Sequence, residues 1–353
     1  LSPPTRRLAG LAAAIIPLLS ACNTPTQREP NTPFSIAADP IRFVAERRPW
    51  DFQGREGRLL VTPSVELHTT LADRRMLHRL PPFLELANAH RLNAITPLRA
   101  PTEPLKTFVL ASRSEWESLT RQLLRDQARP YLRIERGGYA VNAMGIFYDL
   151  GPRDTFIMAA HEGWHQLVQS AFADPLPVWL DEGLACYFEG FRWRSDEPDT
   201  PEFLPWMNQQ RFDQLRAAAA SNTLIPLDQL VHNRPQDLLD TDRGGQAALN
   251  YYAQCWALVH FFMESDFGAR RPGLERLLRD AQAGRFVPAV AQAGGDREAA
   301  TLRTRRIGGG AITAYWPNES LADMDREYRA FVMRIVRTGG RDLALMGRSP
   351  VTP

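Results

Sequence analysis

Cysteine is scarce. Cys22, Cys186 and Cys255 are too few for a disulfide framework and are not spaced as a zinc knuckle. Lysine is nearly absent, with Lys106 alone among 42 basic residues, and the 40 acidic residues leave a net charge of +2. That balance excludes the basic footprint of a nucleic-acid binder. No apolar run reaches the roughly 18 residues a membrane-spanning helix needs. What is present is an ordinary globular composition, 44% hydrophobic and 23% charged over 353 residues, enough for a real core and about two structural units.

The first residues read as an address. Arg6 and Arg7 precede the apolar run from Leu8 to Ala21, a charged segment followed by a short hydrophobic one, as in a secretory signal. The run closes on Leu19-Ser20-Ala21-Cys22, which resembles the bacterial lipobox. That resemblance implies a diacylated Cys22 as the new N-terminus and a membrane attachment through lipid alone. Asn23 follows where aspartate favours inner-membrane retention, so the expected location is the periplasmic face of the envelope, with the outer membrane preferred over the inner. Residues 23–40, rich in Pro, Thr and Asn, read as a flexible tether.

Beyond the tether the pattern predicts strands at 59–70, 107–111 and 139–150, and helices at 72–92 and from Ser112 or Ser114 to about 126. Pro81-Pro82 is expected to bend or break the first helix. After residue 152 the pattern turns helical, with segments near 155–172, 177–190, 203–220, 244–266, 271–284 and 319–337. The expected fold class is α+β. A mixed α/β subdomain with a sheet (41–152) precedes a helical subdomain (153–285) and a C-terminal helical region (286–353). Gly308-Gly309-Gly310 reads as a loop and not a phosphate cradle, because no helix-opening lysine follows it.

The chemistry sits just after the change of pattern. His161-Glu162-Gly163-Trp164-His165 is an HExxH motif on a helical repeat. Residues four apart share a helix face, so both imidazoles can reach one ion about 2 Å away, while Glu162 lies about 100° round the helix beside it. Asp174-Pro175-Leu176-Pro177 makes a short turn into Trp179-Leu180-Asp181-Glu182-Gly183-Leu184-Ala185. An antiparallel second helix would bring Glu182 up to His161 and His165. Two imidazoles and one carboxylate leave an open fourth position, as a catalytic zinc site requires. Asp181, the second choice, and Glu189 compete for that ligand place. A single Zn2+ ion is the expected cofactor, and Glu162 the general base of a hydrolase.

HExxH followed by W-L-x-E-G-x-A resembles the gluzincin metallopeptidases, and most nearly the small bacterial peptidase-MA-like proteins. The resemblance implies a zincin-like fold, Glu182 as third zinc ligand, and a peptide or protein substrate. Asn250-Tyr251-Tyr252-Ala253-Gln254-Cys255-Trp256-Ala257-Leu258 is similar to a helix of that group, which implies Tyr252, with Tyr251 as its neighbour, as the oxyanion donor. One departure is informative. Where gluzincin aminopeptidases carry a G-x-M-E-N motif, this chain has Val141-Asn142-Ala143-Met144-Gly145, without the glutamate that holds a free amine. The expected activity is therefore not that of an aminopeptidase, and the strand at 139–149 is expected to offer an edge to an extended substrate. The alternative is a non-catalytic envelope protein that uses the scaffold for binding or assembly, and that reading expects a closed cleft.

The remaining candidates have ordinary readings. Cys186 and Cys255 are read as separate buried thiols, with a disulfide between them as the alternative. His260 reads as a core histidine, and His68, His78, His90 and His232 show no ligand spacing. Phe188, Phe191, Trp193 and Trp206 could line a groove but fit ordinary core. Gly163, inside a helix, costs roughly 1 kcal/mol against alanine unless something packs closely there.

Overall fold

A computed structural model of the protein describes residues 13–15, 41–239 and 244–352. In the first half, short apolar and β-branched runs form strands joined by two helical crossovers. The elements are β1 (Ala13–Ile15), β2 (Glu46–Phe52), β3 (Arg55–Val61), β4 (Val65–Thr69), α1 (Arg74–Arg91), β5 (Leu105–Leu110), α2 (Arg113–Leu124), α3 (Ala128–Tyr131), β6 (Gly137–Val141) and β7 (Met144–Tyr148). They build a seven-stranded sheet in the order β1-β6-β7-β5-β4-β3-β2. The β4–β5 and β5–β7 pairs are parallel and the rest antiparallel.

The second half is helical: α4 (Asp154–Ala171), α5 (Val178–Tyr187), a small hairpin of β8 (Phe191–Trp193) and β9 (Pro201–Phe203), α6 (Gln209–Ala220), α7 (Leu227–His232), α8 (Pro235–Leu239), α9 (Gly244–Glu264), α10 (Arg271–Gln282), α11 (Phe286–Gly294), α12 (Asp296–Arg305), α13 (Gly310–Tyr315), α14 (Leu321–Ile335) and α15 (Gly340–Leu345). The architecture is α+β, a sheet followed by a helical region, with one apolar core under the sheet and a second around α5 and α9. Among the described residues no helix is long and apolar enough to cross a membrane. The expected secretory segment, the lipidated Cys22 and the 23–40 tether lie outside the described residues, apart from strand β1.

Several expectations change. The strand expected at 59–70 is two strands separated by a turn in which Thr62 N donates to Val65 O at 2.9 Å. Helix α1 runs unbroken through Pro81 and Pro82. Their fixed φ is helical, and the buried face of Leu77, Leu80, Phe83, Leu84 and Ala87 offsets the backbone bonds they remove. The segment 139–150 is a hairpin, turned at Asn142 (φ 51°) and Ala143 (φ 60°). Two left-handed residues match the twist of a two-residue hairpin, but alanine gave no turn signal. The turn is held from α4, where Gln169 Oε1 accepts from Ala143 N at 2.9 Å and Gln166 Nε2 donates to Ala143 O at 3.1 Å.

That hairpin is the seat of α4. A Cβ on Gly138 would lie 3.3 Å from Met158 Cγ, and one on Gly145 would lie 2.6 Å from Gln166 Oε1. The absent side chains let the helix settle close to the sheet. Tyr139, alternating with Gly138, points the other way and donates to Thr120 Oγ1 of α2 at 2.9 Å. Strand β7 is interior, so it offers no edge to a substrate. Strand β6 lies between β7 and β1, where Gly137–Tyr139 pair antiparallel with Ala13–Ile15, residues that precede Cys22. Phe191 and Trp193 belong to the packed interior, as their ordinary reading expects: Phe83, Phe156, Phe191, Trp193 and Phe203 pack ring against ring between α1, α4 and the β8–β9 hairpin.

Candidate metal centre

Helices α4 and α5 face each other across the site. His161 and His165 lie on one face of α4, and Glu182 comes from the first turns of α5. The two Nε2 atoms are 3.3 Å apart, and Glu182 Oε2 is 3.5 Å from each. Ligands 2.0–2.1 Å from a tetrahedral zinc ion stand about 3.3–3.4 Å from one another, so this triangle has the size a single ion needs. His161, His165 and Glu182 form one of two buried groupings whose donor atoms are close enough to share a metal. Glu162 is on the adjacent face, fully buried, and neither of its carboxylate oxygens has a hydrogen-bond partner. Glu182 Oε2 is likewise without one. Carboxylate oxygens left this way are costly in an apolar interior unless a cation or a reacting group takes their place.

Each histidine is turned toward the triangle by a carboxylate behind it. His161 Nδ1 is 2.8 Å from Glu189 Oε1. Glu189 in turn accepts from Arg211 Nη2 at 2.9 Å and from Asn208 Nδ2 at 2.6 Å. His165 Nδ1 faces Asp181 Oδ1 at 3.1 Å, and Asp181 accepts from Trp164 Nε1 at 2.9 Å and from Arg306. A carboxylate on the far nitrogen fixes tautomer and ring direction and makes the near nitrogen more basic. Asp181 and Glu189 therefore stand behind the histidines, outside the triangle of His161, His165 and Glu182. In the second grouping, His161 with Cys186 and Glu189, the carboxylate already pairs with the Arg211 guanidinium at 2.9 Å.

Charge makes the case independently. Glu162, Asp181, Glu182 and Glu189 are all buried, and the guanidiniums of Arg211 and Arg306 answer only two of them. That leaves Glu182, and Glu162 in the fraction ionised with its pKa near 7, a negative charge that a divalent cation would neutralise. Without an ion the imidazoles take that part. Burial favours neutral rings, yet Cys186, Glu182 and Glu189 around His161 hold its pKa well above the usual value. Against the same burial, Asp181 and Glu182 raise His165 to about 10. Burial also lifts Glu162 to about 7, its neighbouring imidazoles opposing and Glu182 adding to the rise.

Tyr252 of α9 is buried, with the Arg211 guanidinium 5.2 Å from its ring centre. Burial first, and the nearby Glu182 second, keep its phenol protonated, so it retains a hydrogen to donate. The Tyr251 hydroxyl is spent elsewhere, donating to Asn233 O at 3.1 Å. Cys186 and Cys255 are free and buried. His260 is a core residue stacked on Trp206 at 3.6 Å. Sequence reasoning did not reach Asn208, Arg211 or Arg306, because no spacing rule ties them to the motif. Glu189 and Asp181 were visible only as rival ligands.

The fold and site thus define an α+β protein with a buried two-histidine, one-carboxylate centre able to hold a metal ion. Residues 157–276, spanning α4 to the first turns of α10, match the family model described as "Protein of unknown function (DUF1570)". No curated protein matches the chain.

Proposed function

We propose that the protein is a zinc-dependent hydrolase, a gluzincin-type metallopeptidase carried on the periplasmic face of the bacterial envelope by a lipidated Cys22. The observation that carries this reading is the triangle of His161, His165 and Glu182, with edges of 3.3–3.5 Å, beside an unpartnered Glu162. A zinc ion held there would act as a Lewis acid and lower the pKa of water from about 15.7 towards about 7. The Glu162 carboxylate, near 7 itself, is matched to take a proton from water and return it to the leaving amine. Tyr252, kept protonated, is the donor proposed for a developing oxyanion. The absence of an amine-binding glutamate at 141–145 favours cleavage within peptides over removal of N-terminal residues.

One observation favours the second reading, a non-catalytic scaffold for binding or assembly. His161, Glu162, His165 and Glu182 are each at most 1% exposed, so the centre is closed. Metal analysis of the soluble chain together with a degradomic peptide screen separates the two. The hydrolase reading expects about one zinc per chain and cleavage that Glu162→Gln abolishes, at least about 100-fold, while zinc content is kept. Full activity in Glu162→Gln would remove the proposed base. Zinc without turnover on any peptide would leave the scaffold.

A further inference from the structure

The C-terminal helical region reaches into the metal centre through one residue. Arg306 follows α12 in the left-handed conformation (φ 58°), which arginine rarely adopts. Its backbone N–H closes α12 on Leu302 O at 2.9 Å, and its carbonyl accepts from Val178 N, the first residue of α5, at 2.7 Å. Its Nε donates to Leu176 O at 2.8 Å, and its Nη2 donates to Asp181 Oδ2. Backbone and guanidinium thus grip the loop before α5 and the carboxylate that faces His165. The other oxygen of Asp181 is held by Trp164, from inside the HExxH motif, at 2.9 Å.

We infer that Arg306 is a positioning residue of the metal centre, acting through Asp181 on His165. This rests on the metal reading above and extends it to a residue outside the matched span of 157–276. The physical reason is that Asp181 has two demands on it. It must accept from Trp164 while standing 3.1 Å from His165 Nδ1, and it must remain ionised while buried. A guanidinium at its second oxygen supplies the compensating charge and fixes the carboxylate plane, and the plane sets the direction of the imidazole. The left-handed backbone at Arg306 lets one residue offer its carbonyl and its fork to the same loop.

A double-mutant cycle on the purified protein tests it, with Zn2+ affinity read by chelator competition and geometry by the visible spectrum of the Co2+-loaded form. Arg306→Gln weakens Zn2+ binding about 10–100-fold and shifts the Co2+ bands. In an Asp181→Asn background the same substitution changes affinity by less than about threefold, because the path from 306 to His165 is already cut. Should Arg306→Gln alone fail to fold, the Asp181→Asn/Arg306→Gln chain, which leaves no unpaired buried carboxylate at 181, must bind Zn2+ as Asp181→Asn does. Wild-type affinity and spectrum in Arg306→Gln, or losses that multiply in the double variant, overturn the inference. A wild-type chain that takes up neither ion overturns the metal reading as well.

Discussion

Gly163 shows how one missing side chain shapes the motif. A glycine in a helix interior costs roughly 1 kcal/mol against alanine, so the position must be held for another reason. The reason is Arg91 of α1. A Cβ on Gly163 would lie 2.1 Å from Arg91 Nη2 and 2.6 Å from Cζ. Arg91 is only 2% exposed and donates to Ala159 O at 3.2 Å, to Ala160 O at 3.3 Å and to Asn88. Among the described residues no carboxylate answers it, and burial pulls its pKa down to about 9. Its only compensation is those acceptors, so moving the guanidinium aside strands a buried cation. Gly163→Ala therefore destabilises the protein by about 1–3 kcal/mol in spite of the better helix former. A urea midpoint that rises instead would show that Arg91 yields freely.

At the scale of elements, the decisive approach is that of α5 to α9. A Cβ on Gly183 would stand 2.6 Å from the carbonyl oxygen of Cys255 and 3.0 Å from Val259 Cγ2. Backbone cannot step aside as a side chain can. Gly183→Ala must push α9 away and turn α5, costing about 1–3 kcal/mol and moving Glu182 off the histidines. Chemical unfolding and Zn2+ titration of that variant should both show losses; an unfolding curve like the wild type would mean that the two helices slide without cost. This contact also marks what the sequence could and could not say. Periodicity located α4, α5 and α9, since each is long or strongly apolar, and the motif with its short turn brought Glu182 to the two histidines. The paired strands within 59–70 and 139–150 look like single strands in the sequence because their turns, at Thr62–Ser64 and Asn142–Ala143, lack the usual glycine. Helices α11 to α13 are short and their caps weak, and Arg211 and Arg306 enter the site through tertiary packing alone. Spacing along a chain identifies residues on one helix face; it is blind to a guanidinium arriving from 125 residues away.

For the whole molecule, the centre is a charge problem solved by three parts of the chain. The sheet seats α4, the α5–α9 pair brings Glu182 and Tyr252, and α6 and the end of α12 bring Arg211 and Arg306. Negative charge on Glu182, and on Glu162 where it is ionised, remains, and an ion or the imidazoles can balance it. The two solutions respond to pH differently. In the metal-free protein, His165 has a folded pKa of about 10 against an ordinary value of 6.5. The folded state then binds the extra proton, so the stabilisation is complete below about pH 6.5 and is lost as pH rises towards about 10. A metal-bound imidazole is already deprotonated and has no such dependence in that window. Chelation should therefore cost little stability near pH 6 and progressively more up to pH 9, with a difference on the order of 2–4 kcal/mol across the range. Denaturant titrations with and without a chelator at several pH values measure that gap directly. A gap that stays constant, or narrows as pH rises, would mean that the imidazoles do not stand in for the ion and that the surplus charge is balanced elsewhere.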